Sequence, residues 1–132
     1  MELDHIGIAV ENIETALKLY RDRLGLKLDR VLELTDEGMK IAVLGSDTVQ
    51  IELIQPLEED TPVGKFLKKR GGGIHHICFS VARLEKMIRD LEGKGLSLTA
   101  PARLGPRGDR VAFFHPNSTM GVLIELSEKQ GE

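Results

Sequence analysis

The sequence predicts an α+β fold built from two copies of one βαβββ module, and three observations carry that prediction. The segment His5-Ile6-Gly7-Ile8-Ala9-Val10 returns as His76-Ile77-Cys78-Phe79-Ser80-Val81, 71 positions later. Leu24-Gly25-Leu26, which closes a helical pattern, returns as Lys94-Gly95-Leu96, 70 positions later. The run Val49-Gln50-Ile51-Glu52-Leu53-Ile54, apolar around one acid, returns as Val122-Leu123-Ile124-Glu125-Leu126 with the acids 73 positions apart. Three landmarks at nearly constant offset mark an internal repeat. They divide a single domain of residues 1–132 into a first module at 1–55, a connector with a short helix at 56–73, and a second module at 74–132.

Each element has a local cause. The first strand, 5–10, alternates bulky and small residues. Asn12 then caps a helix running to about Arg23, with Glu14 in its first turn and Ile13, Leu17, Tyr20 and Leu24 on one face. Gly25 ends it. Strands at 28–34 and 39–44 turn around Asp36-Glu37-Gly38, where glycine tolerates positive φ, and the strand holding Glu52 completes the module. In the connector, Thr61 caps a helix over 62–70 that begins with Pro62, and Gly71-Gly72-Gly73 stops it. In the second module Leu84, Ile88 and Leu91 form a helical stripe, ended by Gly93 or Gly95. Strands at 110–114 and 121–127 form its final pair.

Composition narrows the function. The chain has 132 residues and a mass of 14.6 kDa, with 41% apolar and 30% charged residues, which suits one domain with its own core. A net charge of −3, 4% aromatic residues and no tryptophan argue against a nucleic-acid partner. No apolar run is long enough to span a membrane. The N-terminus lacks a basic segment followed by an apolar stretch, so a cytoplasmic location is expected. One cysteine, Cys78, excludes an internal disulfide and a four-cysteine zinc site.

Strand alternation puts His5, Gly7 and Ala9 on one face and Ile6, Ile8 and Val10 on the other, and it separates His76, Cys78 and Ser80 from Ile77, Phe79 and Val81 in the same way. The bulky faces call for helices. Glu52 and Glu125 share faces with apolar residues. If each sheet curves with its helix outside, both histidines and both glutamates point into one concavity. Ionised carboxylates there need pairing, hydrogen bonds or a metal. Two imidazoles and two carboxylates suit a divalent cation such as zinc, cobalt, nickel, iron or manganese, and the two anionic ligands balance its charge. Each module supplies one of each, 47 residues apart in the first and 49 in the second. His75 points to the opposite face and has a supporting role, Cys78 is packing, and His115 before Pro116 is a turn residue or a support to the ligands. Lys68-Lys69-Arg70, Arg103, Arg107 and Arg110 are candidates for meeting an anionic small molecule.

These segments resemble the vicinal oxygen chelate superfamily and, within it, the methylmalonyl-CoA epimerases over essentially the full chain. The resemblance rests on Leu3-Asp4-His5-Ile6-Gly7-Ile8-Ala9-Val10, Ile51-Glu52-Leu53-Ile54-Gln55-Pro56-Leu57, Gly72-Gly73-Ile74-His75-His76-Ile77-Cys78, and His115-Pro116 followed by Gly121-Val122-Leu123-Ile124-Glu125-Leu126. It implies paired modules forming a metal-binding half-barrel, commonly in homodimers, with His5, Glu52, His76 and Glu125 as ligands to one divalent ion, cobalt first among the candidates. Some epimerases carry glutamine where this chain has Glu52, and the additional carboxylate would lower the Lewis acidity of the ion.

The implied activity is exchange of the C2 epimers of an acyl-CoA substrate, methylmalonyl-CoA, through the enolate left when the C2 proton departs. Glu125 is the candidate acid/base group for one face. Asp36 or Glu37, in a segment that also holds Glu33, is the candidate for the other. Two other readings fit the same fold: a glyoxalase I-like lactoylglutathione lyase, and a noncatalytic ligand-binding protein.

Overall fold

Eight strands and three helices follow one another in the computed structural model, which describes residues 1–45 and 48–129. Positions 46–47 in the first module and 130–132 at the end of the second lie outside the described residues. Packing divides the chain into two compact units, His5–His75 and Met1–Asp4 with the described residues from His76 onward.

The His5–His75 unit carries strands in the order β2-β3-β4-β1, with most of β1 (Glu2–Ala9), β2 at Leu28–Leu34, β3 at Met39–Gly45 and β4 at Gln50–Pro56. β1 runs parallel to β4, and β3 runs antiparallel to both β2 and β4. Helix α1, Ile13–Leu17, starts as expected, with the Asn12 side chain accepting from the Thr15 amide at 2.9 Å. Such a cap contributes about 1 kcal/mol.

The expected helix to Arg23 is present but changes form. From Lys18 to Arg23 the backbone is π-helical, and the Leu24 amide donates five residues back to Leu19 O at 2.8 Å. Wider turns rotate the later residues away from the α-helical stripe. Ile13 and Leu17 are therefore fully buried while Leu24 is 60% exposed, a correction to the expected apolar face. Gly25, at φ +80, ends the segment.

Two helices cover opposite faces of this sheet. Ile13 and Leu17 of α1 pack with Ile8, Val10, Ala42, Leu44, Ile51 and Leu53, the bulky face. The other face receives the connector helix α2, Pro62–Arg70, whose Val63, Phe66 and Leu67 pack against Ala9, Ile41, Val43 and Ile54. Thr61 caps α2 by accepting from the Gly64 amide at 3.0 Å, and Gly71 ends it at φ +78. Gly64 is required by space: a Cβ there would lie 2.5 Å from Glu59 O and 2.7 Å from Glu58 O. Gly64→Ala should cost about 1–3 kcal/mol of stability by overpacking. Urea unfolding checks this as a lowered midpoint.

The second unit carries the order β5-β8-β7-β6, with most of β5 (Gly73–Val81), β6 at Arg103–Leu104, β7 at Arg110–Phe114 and β8 at Leu123–Glu128. β5 runs parallel to β8, repeating the β1/β4 relation. Helix α3, Leu84–Glu92, buries Leu84 and Ile88 against Val81, Ala112, Phe114 and Leu126, with Phe79 and Leu91 beside them. Glu128 receives the Leu84 amide at 3.0 Å and so joins the start of α3 to β8. The last strand begins at Leu123 instead of 121 because Met120 and Gly121 both have positive φ. Among the described residues no helix is long and apolar enough to cross a membrane.

Candidate functional site

Each unit holds one buried histidine–glutamate pair. In the first, β1/β4 register sets Gly7 against Glu52 and His5 against Gln50, so His5 and Glu52 are diagonal neighbours on one face. Their side chains meet with His5 Nδ1 3.4 Å from Glu52 Oε2. In the second, β5/β8 register sets Cys78 against Glu125 and His76 against Leu123, the same diagonal. Here His76 Nε2 lies 3.1 Å from Glu125 Oε1. His5, Glu52, His76 and Glu125 are 3%, 4%, 5% and 8% exposed, burial at which a carboxylate must be paired or bound.

The other predicted residues fall in distinct surroundings. Asp36 and Glu37 form a short 3-10 turn with Thr35 between β2 and β3; both are exposed, as is Glu33. The turn is held at its base. Gly38, buried at φ +70, accepts the Leu57 amide at 2.8 Å, and a Cβ on it would lie 2.9 Å from Thr61 Cγ2. This ties the acid-bearing tip to the start of the connector.

His75 packs edge-on against Phe66 of α2, with ring centroids 5.0 Å apart, and the Arg70 guanidinium lies over the other ring at 5.5 Å. Cys78 is fully buried, its Sγ 3.6 Å from Ser127 Oγ. His115 shapes a turn by accepting the Asn117 amide on Nδ1 at 3.1 Å. Of the basic candidates, Arg107 pairs with Asp4 at 3.6 Å and Arg110 with Glu85 at 2.5 Å.

Sequence reasoning missed Phe113. Antiparallel register sets it directly against Glu125, and its ring meets His76 edge-on at 5.9 Å. The only signal in the sequence was an aromatic residue in the strand predicted at 110–114, which alternates with Ala112 and Phe114. Recognising it required the β7/β8 register.

Comparison with known proteins gives these pairs a setting. Residues 4–113 match the family described as Glyoxalase/Bleomycin resistance protein/Dioxygenase superfamily. The mitochondrial methylmalonyl-CoA epimerase of Mus musculus is 36% identical over 128 residues, 96% of this chain and 72% of that protein. The crystal structure of methylmalonyl-CoA epimerase from Mycobacterium tuberculosis superposes with a TM-score of 0.89 at 39% identity, over 98% of this chain and 89% of that one. A variant of the Streptomyces coelicolor methylmalonyl-CoA epimerase in complex with 2-nitronate-propionyl-CoA matches at TM-score 0.89 and 33% identity, over 99% of each chain. With the vicinal oxygen chelate fold matched along nearly its whole length and a buried His–Glu pair in each module, the chain belongs to the Glyoxalase/Bleomycin resistance protein/Dioxygenase superfamily and, within it, to the methylmalonyl-CoA epimerase family.

Proposed function

We propose that this chain is an isomerase that interconverts the two C2 epimers of methylmalonyl-CoA, with a divalent metal held by His5, Glu52, His76 and Glu125. The observation that carries the reading is the twice-built pair, one buried imidazole beside one buried carboxylate at the same strand diagonal in each module. The donor set suits the ion: neutral imidazole and carboxylate are ligands for cobalt, zinc, nickel, manganese and iron(II), and two carboxylates balance a double positive charge. A divalent cation held there would polarise the thioester carbonyl and offset the negative charge that builds as the C2 proton leaves. Cobalt is the ion we assign.

The remaining work belongs to side chains. C2 of the substrate lies between a thioester and a carboxylate, so its proton is acidic, and inversion requires removal from one face and return to the other. Glu125 serves one face through its carboxylate. Asp36 or Glu37 serves the other, on a tip whose base is held by Gly38 and Leu57. Lys68, Lys69, Arg70, Arg103 and Arg107, the last also paired with Asp4, are our candidates for the phosphates of coenzyme A. The same reading places the enzyme in the cytoplasm as a homodimer.

Proton NMR of methylmalonyl-CoA in deuterated water tests this. Metal-stripped protein should leave the C2 proton signal at its enzyme-free rate of loss, and restoring cobalt should accelerate exchange together with epimer interconversion. Cobalt binding without exchange would overturn the substrate assignment in favour of a hemithioacetal of glutathione. Failure to bind a divalent ion would favour a noncatalytic ligand-binding role.

A further inference from the structure

We infer that Arg103 and Phe113 form a positioning clamp that fixes the His76 imidazole toward Glu125, making the second module's His–Glu pair the pre-oriented half of the site. The inference rests on the proposed metal-ligand role of His76 for its functional meaning. Its geometry stands independently.

Register collects the participants on one face of a single sheet. β6/β7 pairing sets Arg103 against Val111, and β7/β8 pairing sets Phe113 against Glu125. Val111 and Phe113 are two apart in β7, so Arg103, Phe113 and Glu125 share a face, the one to which Cys78 and His76 also belong. The contacts follow. The Arg103 guanidinium carbon lies 5.9 Å from the Phe113 ring centroid, within reach of a cation–π interaction. The Phe113 ring meets His76 at 5.9 Å and 80°, an edge-to-face arrangement. The same imidazole has its Nε2 3.1 Å from Glu125 Oε1. An imidazole held by an aromatic ring and a carboxylate has little freedom to turn.

The core does not explain Phe113. Its neighbours Ala112 and Phe114 are buried against α3 on the opposite face, while Phe113 itself is half-buried. The first module treats the equivalent position differently. There Val43 stands against Glu52 and is fully buried in the hydrophobic cluster under α2. The repeat thus keeps its histidines and acids and changes the residue beside one acid from an aliphatic core residue to a ring stacked under arginine. Groups that orient a metal-ligating histidine typically change metal affinity about 10–100-fold when lost.

The test uses Phe113→Leu, which keeps apolar bulk and removes the ring, with Phe113→Tyr as the conservative rescue and Arg103→Gln as a variant outside the folded core. Two measurements are made on each chain. The first follows the Nε2 proton of His76 in the metal-free, 15N-histidine-labelled protein, assigned by its loss in His76→Gln. It should be sharp in the wild type and Phe113→Tyr, broadened in Arg103→Gln and lost to exchange in Phe113→Leu. The second is calorimetric titration with Co2+, where Phe113→Leu should weaken binding about tenfold and Phe113→Tyr should restore it. A sharp His76 signal in Phe113→Leu, matching wild type, overturns the clamp whatever the metal affinity. A wild-type chain that takes up no Co2+ overturns the metal reading instead, and the metal-free NMR comparison then decides the clamp alone.

Discussion

His76→Ala should abolish divalent-metal binding and epimerisation together. The substitution removes one of the proposed ligands and leaves Glu125, 8% exposed, without the imidazole that lies 3.1 Å from its carboxylate. A buried acid that loses one of its partners carries its own cost, up to about 1–3 kcal/mol of unmet desolvation. A drop in melting temperature therefore accompanies the functional loss. Calorimetry with Co2+ should give no measurable binding, and C2 exchange should fall to the enzyme-free rate. A folded His76→Ala chain that keeps wild-type metal affinity would remove His76 from the ligand set.

The second large effect separates the two candidate bases at the hairpin tip. Asp36→Asn and Glu37→Gln each remove a carboxylate while keeping size, and both positions are exposed, so stability and metal affinity should stay at wild-type values. Only the group that acts as acid/base should matter, with a loss of about 10²–10⁴ in epimerisation when it is replaced. The loss should be one-handed. With the proposed Glu125 still serving its own face, one epimer should continue to exchange its C2 proton with deuterated solvent without inverting, whereas the other should neither exchange nor invert. Following each purified epimer separately by NMR distinguishes this from a general loss. Wild-type inversion in both variants would clear the tip of any role.

Much of this protein is readable from residue order because the determinants are local or repeated. The Asn12 and Thr61 caps each need only an oxygen-bearing side chain three residues before a free amide, and both form. Period-two alternation assigned Ile8 and Val10 to the α1 face and Phe79 and Val81 to the α3 face, where they pack. The repeat itself drew attention to His5, Glu52, His76 and Glu125, and all four are buried.

Tertiary structure decided whatever depends on how distant segments register and turn. The π-helical end of the first helix exposes Leu24 although its spacing fits an α-helical stripe, since i→i+4 and i→i+5 bonding are not distinguished by apolar spacing. The two-residue strand β6 has too few residues to carry a pattern, yet it brings Arg103 over Phe113. Alternation says which residues share a strand's face; only the pairing register says that Gly7 meets Glu52, Cys78 meets Glu125 and Phe113 meets Glu125. That is why the sequence determined the modules and nominated the acids and histidines, whereas their pairing and the ring set against one imidazole came from non-local strand pairing.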